Sequence, residues 1–125
     1  MTGHLTVVGL GPGRADWCTP AVARRLADAS DVVGYGPYVA MLDVLFDGSV
    51  TARRHVSDNR VEADRARHAL DLAAAGGDVV IVSSGDPGVF AMASAVLEQL
   101  DEHRDRWLDV RVDVETATND APFPD

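Results

Sequence analysis

Two short apolar runs, Leu5-Thr6-Val7-Val8 and Val79-Val80-Ile81-Val82, are rich in β-branched residues and lack polar alternation. Runs of this kind predict strands covered on both faces, as in a parallel sheet. Each gives way at once to glycine: Gly9-Leu10-Gly11-Pro12-Gly13 follows the first, and Ser83-Ser84-Gly85-Asp86-Pro87-Gly88 the second. Open parallel sheets bind ligands beyond the carboxyl ends of their strands, so two glycine-rich strand ends point to one shared crevice.

Between and around these runs the period changes to that of helices. Thr19-Pro20 is a helix start, with Thr19 as N-cap and Pro20 in the first turn. The stripe Val22, Ala23, Leu26, Ala27 follows at helical spacing and ends near Ser30. Asp31 to Gly34 reads as a short strand closed by a loop, Tyr35-Gly36-Pro37-Tyr38, with a helix from Val39 to Phe46 behind it. Asp47-Gly48 is a turn signal, and Ser49 to Arg53 is expected as a brief strand. Ser57-Asp58 offers another helix cap. In the helix that follows, Ala66, Ala69, Leu70 and Ala73 form the buried face, and Asp64, Arg65, Arg67 and Asp71 the solvated one. Gly76-Gly77 is its stop. A helix is expected over Val89 to Leu100 and a last strand over Leu108 to Val114, before a polar tail from Glu115 to Asp125. Strand and helix alternate throughout, so the fold class is α/β.

Composition narrows the function. The 125 residues suit one domain with a real core. A net charge of -9 opposes nucleic-acid or anionic-membrane binding, because no basic face exists to neutralise phosphates. One cysteine, Cys18, excludes an intrachain disulfide framework and fits a reducing cytosol. No signal sequence or membrane-length apolar stretch is present, so a cytoplasmic location is expected. No Cys/His cluster has metal-ligand spacing, so no protein-held metal is expected.

The glycines of the first loop allow a sharp turn and close approach to a ligand. A dinucleotide fingerprint would need glycine where Arg14 stands, and Pro12 removes an amide donor from any pyrophosphate cradle. The Gly-Lys-Ser/Thr ending of a Walker loop is missing. In the second loop Asp86 is placed to cap the next helix or to accept hydrogen bonds from a ligand. The plain alternative is that both loops are tight strand-to-helix turns.

Together these residues resemble the N-terminal domain of the tetrapyrrole (corrin/porphyrin) methyltransferases. That family places Gly-x-Gly-Pro-Gly after its first strand and Gly-Asp-Pro after its fourth. Val32-Val33-Gly34-Tyr35-Gly36-Pro37-Tyr38, Ser57-Asp58-Asn59-Arg60 and Ser83 to Ala93 narrow the likeness to the ring-contracting branch of cobalamin biosynthesis. The likeness covers residues 4 to 112. It implies a three-layer domain with a mostly parallel sheet of about five strands. It also implies S-adenosylmethionine as cofactor and methyl transfer to C17 of precorrin-3B, a small-molecule tetrapyrrole, with contraction of the ring. The full-length family is expected to form homodimers.

Carried over by position, Gly9, Gly11, Pro12, Gly13, Gly85, Asp86, Pro87 and Phe90 are expected to bind the cofactor. Arg53, Arg54 and Arg60 are candidates for the substrate's carboxylates, against the plain reading of surface ion pairs. Ring contraction needs proton transfers, for which Tyr35, Tyr38, His55 and Asp58 are candidates.

The likeness stops at the last strand. A Pro-Gly turn with small residues is replaced by Val112-Asp113-Val114-Glu115-Thr116-Ala117-Thr118, and no residues remain for the family's second domain. The expected organisation is therefore a cofactor-binding domain over 1–114 and an irregular tail over 115–125, catalytically incomplete by itself. Two other readings stay open: a same-fold methylase with a different acceptor, and a non-catalytic fragment or binding module.

Overall fold

A computed structural model describes residues 3–10, 19–57, 62–83, 86–103 and 105–115, with 86 and 87 described by their backbone only. The elements are β1 (His4–Gly9), α1 (Pro20–Asp28), β2 (Asp31–Tyr35), α2 (Gly36–Phe46), β3 (Arg53–Ser57), α3 (Glu62–Ala74), β4 (Asp78–Ser83), α4 (Asp86–Glu102) and β5 (Arg111–Glu115). The five strands form one sheet in the order β3-β2-β4-β1-β5, with every ladder parallel.

Strand residues alternate between two apolar layers, which is why β1 and β4 carry no polar alternation. Val8, Val32, Val80 and Val82 face α1 and α2, against Val22, Leu26, Val39 and Leu42. Leu5, Val7, Val33, Val79 and Ile81 face α3 and α4, against Ala66, Ala69, Leu70, Val89 and Val96. Trp107, 3% exposed, closes the second layer and donates its Nε1–H to Asp71 Oδ1 at 2.8 Å.

Thr19 caps α1 as expected, its Oγ1 accepting from the Val22 amide at 3.2 Å. The Tyr35-Gly36-Pro37-Tyr38 loop does not form. Tyr35 ends β2 in extended geometry, and α2 starts at Gly36 with Pro37 in its first turn, where the fixed proline φ suits a helix. Strand thus passes into helix without a linker. The third strand lies at Arg53–Ser57 rather than Ser49 to Arg53. Asp47 (φ 48°) and Gly48 (φ 80°) turn the chain in the left-handed region, and the Arg53 amide meets the Ser30 carbonyl at 3.0 Å, which starts pairing with β2 there. α4 begins at Asp86, three residues before the expected Val89, and β5 begins at Arg111 rather than Leu108.

The amino end of the sheet is held by polar groups. Arg25 on α1 donates to Thr6 Oγ1 (3.1 Å), to His4 Nδ1 (2.6 Å) and to Asp78 Oδ1 (2.7 Å). His4 Nε2 lies 2.5 Å from Asp113 Oδ2. This network joins β1, β4, β5 and α1 at the end opposite the glycine loops.

The connections decide where a ligand fits. From β2 the chain moves outward to β3, whereas from β4 it crosses β1 to reach β5. Neighbouring strands β2 and β4 therefore hand the chain off in opposite directions, which opens a crevice at their carboxyl ends.

Candidate active site

Gly9 and Ser83, the last residues of β1 and β4, are register partners, and the Leu10 amide donates to the Ser83 carbonyl at 2.9 Å. The strand ends that precede the two glycine-rich stretches therefore lie side by side. Next to them Gly34 on β2 lies against Val82. A Cβ at Gly34 would stand 2.6 Å from Val82 Cγ2 and 3.1 Å from Val39 Cγ2, so a side chain there would push β2, β4 and α2 apart.

A cleft of about 210 Å³ opens between α2, α3, β4 and α4 at this edge, lined by Tyr38, Glu62, Arg65, Ser83, Gly88 and Met92. The Tyr35 and Tyr38 rings meet edge to face, with centroids 5.4 Å apart, so the Tyr35 ring braces the one on the cleft wall. Phe90 stands half-exposed in the first turns of α4.

Arg65 corrects the sequence reading. Expected on the solvated face of α3, it is 6% exposed and lines the cleft. Its Nε donates to Ser57 Oγ at 2.8 Å, and its Nη1 lies 3.7 Å from Met92 Sδ. Glu62, Ser83 and Met92 were also unforeseen as cleft residues. Arg65 had a signal: it precedes Ala69 by four residues, so it falls on the apolar stripe of α3.

Other expected site residues lie apart from the cleft. Arg53 starts β3 at the amino edge, with Nε 3.1 Å from Asp31 Oδ1. Arg54 grips the Asp43 carboxylate of α2 with both Nη atoms, at 3.0 and 2.8 Å. That guanidinium holds Asp43 below the usual carboxylate range and is itself raised by the pairing. His55 places Nε2 2.9 Å from Asp31 Oδ1 and packs edge to face on His68. Burial of Asp31 (2% exposed) acts to raise its pKa, but hydrogen bonds from His55 and Ser30 and the charge of Arg53 outweigh it, leaving the carboxyl below its ordinary value. Gly9 ends β1, and Asp86 and Pro87 open α4. Gly11, Pro12, Gly13, Asp58, Arg60 and Gly85 lie outside the described residues.

Among the described residues no group of three or more His, Cys, Asp or Glu side chains is placed to hold a metal ion. No helix among them is long and apolar enough to cross a membrane.

Similarity to known proteins agrees with this architecture. The family of tetrapyrrole (corrin/porphyrin) methylases matches residues 4–114. Cobalamin biosynthesis protein CobIJ of Mycobacterium tuberculosis (strain ATCC 25618 / H37Rv) is 51% identical over 121 residues, or 97% of this chain and 22% of that protein. Precorrin-3B C(17)-methyltransferase of Sinorhizobium sp is 49% identical over 112 residues, or 90% of this chain and 42% of that one. The crystal structure of the methyltransferase CobJ superposes with a TM-score of 0.82 at 50% identity, covering 94% of this chain and 47% of that one. The chain therefore spans less than half the length of these relatives. It belongs to the tetrapyrrole (corrin/porphyrin) methylase family.

Proposed function

We propose that this chain forms the donor-binding half of a methyltransferase that moves the methyl group of S-adenosylmethionine to C17 of precorrin-3B, with ring contraction, in cobalamin biosynthesis. The observation that carries this reading is the Gly9–Ser83 register, from which both glycine-rich stretches start at adjacent strand ends, with Ser83 on the cleft wall. The acceptor follows from the relatives. Identity is 49% over 112 residues to the enzyme named for precorrin-3B. It is 35% over 99 residues to a Methanothermobacter thermautotrophicus protein named as a probable cobalt-factor III C(17)-methyltransferase. The difference favours the cobalt-free acceptor.

The cleft fits such a donor in chemistry. It offers an aromatic wall at Tyr38, the soft apolar side chain of Met92, and one residue of each charge, Arg65 and Glu62. In our reading Gly9, Gly11, Pro12, Gly13, Gly85, Asp86, Pro87 and Phe90 hold the donor. When bound, S-adenosylmethionine supplies an electrophilic methyl on a sulfonium, from which a neutral thioether departs as a good leaving group. The protein's task is then alignment and exclusion of water. The glycine strand ends let the main chain approach closely, and the half-exposed Phe90 ring offers a flat apolar surface.

Tyr38 is the group we assign to proton transfer, because it alone of Tyr35, Tyr38 and His55 lines the cleft. His55 is engaged by Asp31, and Arg53 and Arg54 by Asp31 and Asp43, so in our reading these three hold the fold rather than the ligand. Calorimetric titration with S-adenosylhomocysteine tests the reading. A micromolar Kd is expected, and no binding up to millimolar would sink it. Unchanged affinity in Asp86→Ala would remove Asp86 from the site.

The short span relative to the matched proteins favours a second reading, donor binding without turnover by this chain alone. Methylated product from the pure chain with precorrin-3B and S-adenosylmethionine would exclude it.

A further inference from the structure

We infer that the Ser83 hydroxyl is a ligand-contacting group of the cleft, held in place for a polar atom of the methyl donor. The inference rests on the methyltransferase reading above and goes beyond it by adding a side chain that the family resemblance did not supply. Ser83 ends β4 and follows the apolar run Val79-Val80-Ile81-Val82. Strand side chains alternate, so Ser83 shares the face of Val79 and Ile81, which pack in the layer of α3 and α4. Arg65 and Met92, on those two helices, line the same cleft as Ser83.

The residue is 6% exposed. Its carbonyl accepts from the Leu10 amide, but among the described residues its Oγ makes no hydrogen bond. Among those residues only Gln99 Oε1 is both sealed from solvent and without a partner. The Ser83 hydroxyl therefore keeps an opening, and that opening is the cleft. A largely buried hydroxyl without a partner costs the free fold stability, and alanine would fill the same place without that cost. The partner that offsets the cost is a ligand. β4 is paired on both sides, by β1 and β2, so the sheet rather than a loop fixes where the hydroxyl stands.

The size of the cleft selects the ligand. About 210 Å³ lies below the roughly 300–1,000 Å³ that encloses a drug-sized molecule. A tetrapyrrole macrocycle is too broad to reach Ser83 there, whereas one end of the slimmer donor fits.

Calorimetry and thermal melts on this chain and on Ser83→Ala test the inference with two probes. S-adenosylhomocysteine carries both ends of the donor, and 5′-methylthioadenosine lacks the amino-acid end. Ser83→Ala is expected to weaken S-adenosylhomocysteine binding about three- to tenfold, the worth of one hydrogen bond. Its melting midpoint without ligand should stand at or above that of the parent. An equal loss for 5′-methylthioadenosine supports the inference and assigns the adenosyl half, and no loss for that probe supports it and assigns the amino-acid half. A melting midpoint several degrees lower in Ser83→Ala overturns it, because the hydroxyl then serves the fold. Binding of S-adenosylhomocysteine that Ser83→Ala leaves intact overturns this inference alone. Failure of the unaltered chain to bind either probe overturns the methyltransferase reading and this inference together.

Discussion

His55 Nε2 reaches Asp31 Oδ1 at 2.9 Å across neighbouring parallel strands, although the register partner of Asp31 is Arg53, two residues earlier. The Asp31 carboxylate thus gathers a diagonal histidine, a directly opposed arginine and the adjacent Ser30 hydroxyl at 2.8 Å. An edge strand with the polar sequence Arg-Arg-His-Val-Ser is tied to the buried β2 by this carboxylate more than by apolar contact.

The sign of the pH dependence follows from that cluster. The folded pKa of Asp31 is depressed below 3.8, because its partners outweigh burial. Its contribution is therefore fully present above the unfolded value and is lost as pH falls through the folded one. Urea melts at a series of pH values are expected to show the midpoint dropping below about pH 4. Asp31→Asn should lower stability at neutral pH by about 1–3 kcal/mol and flatten the acid slope. An acid slope identical in the two proteins would remove Asp31 from the account.

Gly34 is expected to tolerate no side chain. Its Cβ would lie 2.6 Å from Val82 Cγ2 and 3.2 Å from the Val82 carbonyl oxygen, which belongs to a central strand and cannot move freely. Gly34→Ala should cost about 1–3 kcal/mol by overpacking. Gly36→Ala provides the contrast, since among the described residues its Cβ would meet only Val56 Cγ1 at 3.3 Å, and it sits in the first turn of α2. There the lost flexibility of the unfolded chain offsets the contact, so little change is expected. Equal losses for both variants in chemical denaturation would contradict the packing argument.

Arg25 sets the tautomer of His4. Its guanidinium donates to Nδ1, so the proton of the neutral ring lies on Nε2 and is donated to Asp113. Arg25→Met leaves Asp78, Thr6 and His4 without these bonds and should cost about 1–3 kcal/mol. Nitrogen chemical shifts of His4 are expected to report the Nε2–H form in the parent chain and a mixture of tautomers in the variant. Identical shifts would show that Arg25 does not select the tautomer.

The alternation of strand and helix was legible because β1 and β4 are buried on both faces and therefore spelled in uninterrupted apolar residues. The third strand was not. Arg53–Ser57 pairs on one side only, so nothing in its hydrophobicity marks it, and its position comes from the Ser30–Arg53 backbone bond and the Asp31 cluster. The start of α2 was missed for a different reason. Tyr35-Gly36-Pro37-Tyr38 has the composition of a turn, yet Gly36 and Pro37 form the first turn of a helix that follows β2 directly. Of the candidate site, the paired glycine loops were visible along the chain, but the cleft beside them was not. Arg65 kept helical spacing with Ala69, and its charge concealed its membership of the buried stripe.

Phe90 separates a packing role from a binding role most directly. Its ring is 50% exposed, while its neighbour Val89 is fully buried, so the helix is anchored without it. Truncation should therefore leave stability within about 1 kcal/mol of the parent, as expected for a side chain already half in water. A ring that packs on a bound donor contributes about 1 kcal/mol or more to its affinity, so Phe90→Ala should weaken S-adenosylhomocysteine binding by about tenfold. Thermal melts and calorimetry on the same preparation read the two effects independently. A drop of several degrees in Tm with unchanged affinity would make Phe90 a packing residue and withdraw it from the proposed donor site.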